Sequence, residues 1–162
     1  MKGIKNIVII IAIAVMALIG TLVFLYSNNS YETDFSKNWD LMKGDFHVVN
    51  EYVIDYFENN DAFSIDIKSL KELMNDDDDK ESLERASDNY SKYNDYGNKI
   101  TKISYKNGVV EYYDWEGNGY LERVVYSKYS KSELEKMYNT GERHYVIEEL
   151  GDNWYYFDEH HL

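Results

Sequence analysis

The sequence predicts an α+β domain that follows an N-terminal transmembrane helix. Three features support this: an uncharged apolar run near the start, a long segment with helical spacing of apolar residues, and a later region in which apolar and polar residues alternate. Helical spacing followed by strand alternation is typical of a helix that covers one face of a sheet. We therefore expect a long amphipathic helix packed on a mainly antiparallel sheet of about five strands.

The apolar run covers residues 7–26 and reads IVIIIAIAVMALIGTLVFLY, without a charged residue. About 20 apolar residues, each rising roughly 1.5 Å along a helix, span the hydrocarbon core of a bilayer. Lys2 and Lys5 precede the run, and the basic flank of an anchor usually stays in the cytoplasm. We predict a single-pass anchor in the plasma membrane, with residues 1–6 inside and the C-terminal domain outside.

A cleaved signal peptide is the alternative to an anchor. Such a peptide has a shorter apolar run that ends in small residues of the A-x-A type. Here Ala12 and Ala14 lie inside the run, and Leu25-Tyr26-Ser27 makes a poor cleavage site. These features favour an uncleaved anchor.

Composition limits the chemistry of the part outside. The chain has 162 residues, 17 of them tyrosine, and contains neither cysteine nor proline. Lys2 and Lys5 are the only charged residues before residue 27, so residues 27–162 carry a net charge of −15. Such a domain repels nucleic acid and anionic lipid, and it favours cations or a basic partner. The alternative is that the charge only keeps a tethered domain soluble and away from the membrane surface. The lack of cysteine excludes disulfides and thiolate-bound metals.

A polar stalk over residues 27–33 leads into the domain, which we place at residues 34–162. After the stalk, apolar residues recur at steps of three or four and predict the long helix. These residues are Phe35, Trp39, Met42, Phe46, Val49, Val53 and Phe57. Gly44 lies within this pattern and indicates a kink or a division of the helix.

Two shorter helices are predicted next, over residues 65–74 and 80–93. Asp66 is the expected N-cap of the first. For the second we expect a capping box in which Asp78 and Glu81 satisfy each other's backbone N–H groups. The acidic run Asp76–Asp79 before it is expected to be a solvated loop, because adjacent side chains point in different directions and do not converge on one ion.

From residue 100 the apolar period changes to two, which predicts strands. Asn107-Gly108 supplies the two positive-φ positions of a type I′ hairpin turn. Ser130 and Glu133 form a capping box for a short helix over residues 130–139. The expected strands cover residues 100–105, 109–113, 120–127, 144–150 and 153–157.

The segment DWEGNGYLE, residues 114–122, lies between two of these strands and resembles half of a calcium-binding loop. Carboxylate and amide side chains occur at the spacing of an EF-hand loop, which uses oxygen ligands at alternate positions. The candidate ligands are Asp114, Glu116, Asn118 and Glu122. The closing bidentate glutamate is replaced by Val125, so we expect mainly a turn, with a weak calcium site as the alternative.

Aromatic residues cluster on or beside the predicted strands. If one face of the sheet is uncovered, alternate aromatic side chains are exposed there and can stack on sugars or dock a protein. The residues assigned to this face are Trp115, Tyr120, Tyr126, Trp154 and Tyr156. The alternative is that tyrosine simply fills half-buried strand positions, for which it has a high propensity.

No motif of a hydrolase, a metalloprotease or a nucleotide-binding enzyme occurs in the chain. We therefore expect no enzymatic activity and no cofactor other than the calcium candidate. The function that we predict is a protein-interaction module of the cell envelope, with a partner protein that is itself basic. The alternatives are a module that binds cell-wall glycan through Trp115 and Trp154, or a hydrolase with an unrecognised site.

Overall fold

The computed structural model describes residues 33–115, 122–140 and 144–160, and all of them belong to one compact unit. The helices are α1 (Asp34–Lys37), α2 (Trp39–Asn59), α3 (Ile67–Leu73), α4 (Asp77–Tyr93) and α5 (Lys131–Tyr138). The strands are β1 (Ser64–Asp66), β2 (Lys102–Lys106), β3 (Val109–Tyr113), β4 (Glu122–Ser127), β5 (His144–Gly151) and β6 (Trp154–His160). The α+β class is confirmed.

The predicted membrane anchor over residues 7–26 lies outside the described residues, as do residues 1–6 and almost all of the stalk. Within the ranges that are described, none of the helices has the length and apolar character needed to cross a membrane. The anchor therefore stays a prediction.

The six strands form one sheet in the order β1-β2-β3-β4-β6-β5, and every neighbouring pair is antiparallel. The hairpin between β2 and β3 has the predicted turn, with positive φ at Asn107 and Gly108. The prediction of five strands is wrong by one, because β1 was missed. Its three residues are too few to show alternation, and Ile65 fits the helical pattern that follows equally well.

The long helix is divided at Asn38, between α1 and α2, and not at Gly44 as predicted. The Asn38 side chain donates a hydrogen bond of 2.7 Å to the carbonyl oxygen of Asp34, which competes with the helical backbone pattern. Gly44 lies inside an uninterrupted helix of 21 residues.

Helix α4 begins three residues earlier than predicted, and its cap differs. The side chain of Asp76 accepts a hydrogen bond from the backbone N–H of Asp78, so Asp76 is the N-cap and not Asp78. Asp77, Asp78 and Asp79 therefore occupy the first helical turn. Negative charge is favourable there, because the backbone N–H groups at a helix N-terminus are unpaired. The acidic run starts a helix and does not form the expected loop.

Helices α2 and α4 pack on one face of the sheet, which we call the helix-covered face. Trp154 on β6 lies at its centre and is fully buried. Its ring contacts those of Trp39, Phe46, His47, Tyr112 and Tyr126 at centroid distances between 5.2 and 5.8 Å. Aromatic pairs at these distances add to the stabilisation that burial gives. This cluster joins helix α2 to strands β3, β4 and β6.

The opposite face is covered only in part. Leu134 of α5 is buried with Val125, Ile147 and Phe157, so this helix covers the half of the face formed by β4, β6 and β5. On the other half, side chains of β1, β2 and β3 share the face because cross-strand partners point the same way. We call this half the open face; its side chains are Ser64, Asp66, Lys102, Ser104, Glu111 and Tyr113.

Replacing Trp154 by alanine is expected to lower the free energy of unfolding by about 3–5 kcal/mol, because it empties the centre of the aromatic cluster. Trp115 is exposed, and Trp115→Ala should change that free energy by no more than about 0.5 kcal/mol. Urea denaturation of both variants measures the difference. A Trp154→Ala protein as stable as the wild type would contradict this packing.

Candidate functional site

The aromatic residues expected on an exposed face are separated by the fold. Trp154 and Tyr156 are fully buried on the helix-covered face, and Tyr126 is half-buried against Trp154. Tyr120 lies outside the described residues. Trp115 alone of the described members is exposed. Trp154 and Tyr156 therefore do not form an exposed platform with Trp115, because Trp154 packs under α2 and Tyr156 stacks on Phe35 of α1.

The calcium candidates do not converge within the part of the chain that the structure describes. Asp114 accepts a hydrogen bond of 3.0 Å from the Thr101 hydroxyl, and Glu116 and Asn118 are outside the described ranges. Glu122 is buried at the start of β4. Across the described ranges, no group of three or more acidic or histidine side chains could hold a metal ion.

Glu122 is engaged inside the fold. One oxygen of its carboxylate accepts hydrogen bonds from the Tyr156 hydroxyl and, at 3.1 Å, from the backbone N–H of Asp95. The Tyr90 hydroxyl donates to its backbone carbonyl at 2.8 Å. Burial raises the pKa of Glu122 above its ordinary value of 4.5. The hydrogen bonds that Tyr156 and Asp95 donate to its carboxylate oppose the rise. Glu122 thus fixes the end of α4 to β4.

Two concave surfaces adjoin the open face. A cavity of about 990 Å³ lies between the C-terminal end of α2, the β2–β3 hairpin and α5. A second cavity, of about 440 Å³, lies along β1 next to Trp115. Phe63 lines the first and its neighbour Ser64 the second, so the two flank the short strand β1.

Exposed apolar side chains concentrate around these cavities. Phe63 and Met137 line the larger cavity and are 74% and 41% exposed. Leu73 and Trp115 line the smaller one and are 46% and 56% exposed. Large apolar side chains that gather on one surface of a protein typically mark an interaction site. Sequence reasoning identified Trp115 but missed the other three. Leu73 and Met137 fit the inward-facing helical pattern as well as their neighbours Met74 and Tyr138 do, whereas Phe63 belongs to no periodic pattern.

Trp115 is held in place by β2. Its backbone N–H donates to the Thr101 hydroxyl at 2.7 Å, and its ring lies 6.3 Å from that of Tyr113. The Lys102 ammonium lies 4.5 Å from the centroid of the indole ring. This is a cation–π contact, and it occupies part of the indole surface. The exposed tryptophan is therefore oriented rather than free to rotate.

A largely buried ion pair lies at the edge of the open face, next to α5. Arg123 donates to the Glu111 carboxylate at 3.1 Å and to the Tyr145 hydroxyl at 3.2 Å. Glu111 also accepts hydrogen bonds from the hydroxyls of Ser104, at 3.2 Å, and Tyr138. Burial, and then the negative charge of Glu111, raise the pKa of Tyr138, so its phenol stays protonated and acts as a donor. The network attaches the end of α5 to β3.

Arg123→Met is expected to lower the free energy of unfolding by about 3–5 kcal/mol, because it leaves the charge of Glu111 buried without its counter-ion. The double variant Arg123→Met/Glu111→Gln should be more stable than Arg123→Met alone, since glutamine removes that charge. Its amide oxygen can accept from one of the Ser104 and Tyr138 hydroxyls, and its NH2 group can donate to the other. Urea denaturation of the wild type, Arg123→Met, Glu111→Gln and the double variant tests the coupling. Additive losses would show that the two side chains act independently.

The raised pKa of Glu122 predicts a pH dependence of stability. Its protonated form is favoured in the folded state, so the contribution is complete below pH 4.5 and is lost as the pH rises through the raised pKa. Glu122→Gln keeps an oxygen that accepts from Tyr156 and Asp95 but does not ionise. The stability of this variant relative to wild type should therefore increase between about pH 5 and about pH 8. A difference that stays constant in denaturation curves across this range would contradict the assignment.

Comparison with known proteins gives no relative. No protein-family model matches the chain, and no match was found to a curated protein sequence or to a solved structure. A functional conclusion therefore depends on the two cavities and on the exposed apolar side chains that line them.

Proposed function

We propose that residues 34–162 form a protein-interaction module of the cell envelope, held at the plasma membrane by residues 7–26, and that the partner docks on the open face and on the two cavities beside it. One observation carries this proposal. Phe63, Leu73, Trp115 and Met137 are all exposed, and all line the two cavities that flank β1. Exposed apolar side chains promote aggregation when they stay in contact with water. A partner protein that covers them removes this risk.

The chemistry of this surface favours a protein as the partner. Tryptophan, phenylalanine and methionine are enriched at the centres of protein interfaces, where a polar rim surrounds them. Polar groups of Asn60, Ser64, Ser104 and Lys106 provide such a rim around the same cavities. Phe63 directly precedes β1, and Trp115 lies against Lys102, which pairs with the last residue of β1. The two therefore mark opposite ends of the strand, and a partner can place one anchor side chain in each cavity.

Charge indicates what kind of protein docks. The net charge of −15 over residues 27–162 attracts a basic partner and speeds its association at low ionic strength. A second copy of the chain carries the same charge and is repelled. The membrane anchor would confine both proteins to one surface, and this raises their effective concentration. The partner that we propose is therefore a basic protein of the cell envelope.

Glycan binding is the second candidate, and the smaller cavity favours it. There the exposed Trp115 ring lies near the hydroxyl groups of Ser64, Ser69 and Thr101, a combination that suits a sugar ring. However, Trp154 is buried and cannot supply the second stacking surface that the sequence suggested. Glycan binding would depend on Trp115 and vary little with salt, whereas docking of a basic protein weakens as salt is added.

Site-specific photo-crosslinking in cells tests the proposed docking surface. A photo-reactive amino acid would replace Trp115 or Met137 in the full-length, C-terminally tagged protein. The matched controls are Tyr96, which is 54% exposed against 56% for Trp115, and Val146, which is 42% exposed against 41% for Met137. We expect one dominant adduct with a basic envelope protein at Trp115 and at Met137, and none at the two control positions.

The outcomes separate the candidates. The same adduct at all four positions, or at the control positions alone, would contradict docking on the open face. No protein adduct anywhere, together with binding to cell-wall glycan that Trp115→Ala abolishes, would favour the second candidate. A version with a foreign anchor in place of residues 7–26 should still form the adduct, because the proposed surface lies in the domain.

A further inference from the structure

Gly44 occupies the interior of α2, where glycine destabilises a helix relative to alanine. The fold around it gives no reason for a glycine. A methyl group added at this position would meet no atom within 4 Å, and the residue is not one of those with positive φ. The glycine leaves a flat spot on the outer surface of α2, on the side turned away from the sheet.

Two exposed apolar side chains flank this spot. Leu41 is three residues before Gly44 and 72% exposed, and Val48 is four residues after it and 39% exposed. Residues spaced by three and four lie along one line on a helix. The outer surface of α2 therefore presents leucine, glycine and valine in a row.

Acidic residues continue the same line toward the C-terminal end of α2, and one of them, Asp55, accepts a hydrogen bond of 3.0 Å from the Asn59 side chain. Glu51, Asp55 and Glu58 are exposed, and no lysine or arginine of the described ranges lies within ion-pair distance of them. The last turn contains no basic residue. Negative charge is unfavourable at a helix C-terminus, and carboxylates four residues apart repel each other. Like the glycine, these residues weaken the isolated helix.

We propose that Leu41, Gly44, Val48, Glu51 and Asp55 form a second docking surface, here called the α2 surface, which binds a basic amphipathic helix of another protein. The absent side chain at Gly44 lets a partner helix approach closely, as small residues do at helix contacts. Its apolar side chains contact Leu41 and Val48, and its lysines or arginines pair with Glu51 and Asp55. The features that weaken α2 alone all favour this complex.

This surface is distinct from the open face and its two cavities, because none of its five residues lines either cavity. It therefore does not depend on the proposed function being right. Charge selects the occupant: a second copy of this chain would bring its own carboxylates against Glu51 and Asp55, and an acidic helix would do the same.

The test uses the full-length protein in neutral detergent with a photo-reactive amino acid in place of Leu41. The probe is a synthetic amphipathic helix of leucine and lysine, and a leucine–glutamate helix of the same pattern is its control. We expect an adduct with the lysine peptide only. Gly44→Gln should reduce the yield of this adduct about tenfold, which corresponds to a loss of about 1.4 kcal/mol in binding free energy. Thermal unfolding should show Gly44→Gln and Gly44→Ala to be at least as stable as the wild type, because the added atoms enter open space.

Matched charge variants distinguish this surface from general attraction to an acidic protein. Glu51→Gln/Asp55→Asn and Asp78→Asn/Asp79→Asn remove the same charge from α2 and from α4. Only the first pair should reduce the adduct. The proposal is overturned if Gly44→Gln leaves the yield unchanged, if both pairs reduce it equally, or if the glutamate peptide reacts as well. It is also overturned if the photo-reactive residue at Trp115 captures the lysine peptide more efficiently than the one at Leu41.

Discussion

The packing of Trp154 against helix α2 determines how the rest of the domain is arranged. Its indole contacts Trp39 and Phe46 of the helix and Tyr112 of β3, which is two strands away in the sheet, so one buried side chain joins three elements. Because strand side chains alternate, burial of Trp154 under α2 directs its neighbours Tyr155 and Phe157 to the opposite face. Because paired residues on neighbouring strands point to the same face, the pairing fixes which side chains lie on each face as far as β1.

Helices therefore cover the two faces of the sheet to different extents, and the face that is covered less is the one proposed to bind a partner. One face is covered by α2 and α4, whereas α5 covers only half of the other. At the edge of that half, Arg123 and Glu111 form a buried ion pair. Such pairs contribute little net stability, because both charges lose their hydration, but their geometry fixes one arrangement. We interpret the pair as holding α5 in place, so that the cavity between α5 and the β2–β3 hairpin keeps its shape.

Local sequence patterns predicted where helices, strands and turns occur. Contacts between residues far apart in the chain determine which of their side chains are buried. The Asn107-Gly108 turn and the capping box of Ser130 and Glu133 depend on adjacent residues, so the sequence was sufficient to predict them. Strand β1 exists because Ile65 pairs with Ile103 far along the chain, and no local signal shows this. Likewise, which aromatic residues are buried depends on where α2 packs. Trp115 and Trp154 look equivalent in the sequence, but one is exposed and the other is at the centre of the core.

Fluorescence quenching by iodide tests this contrast most directly, since the chain has three tryptophans and Trp39 is also buried. The account predicts that iodide quenches only one component of the emission of the full-length protein. Trp115→Phe should remove that component and leave emission that is blue-shifted and protected from iodide. If a quenchable component of the same size persists in Trp115→Phe, Trp154 or Trp39 is exposed to solvent. That result would contradict the assignment of the two faces on which the proposals depend.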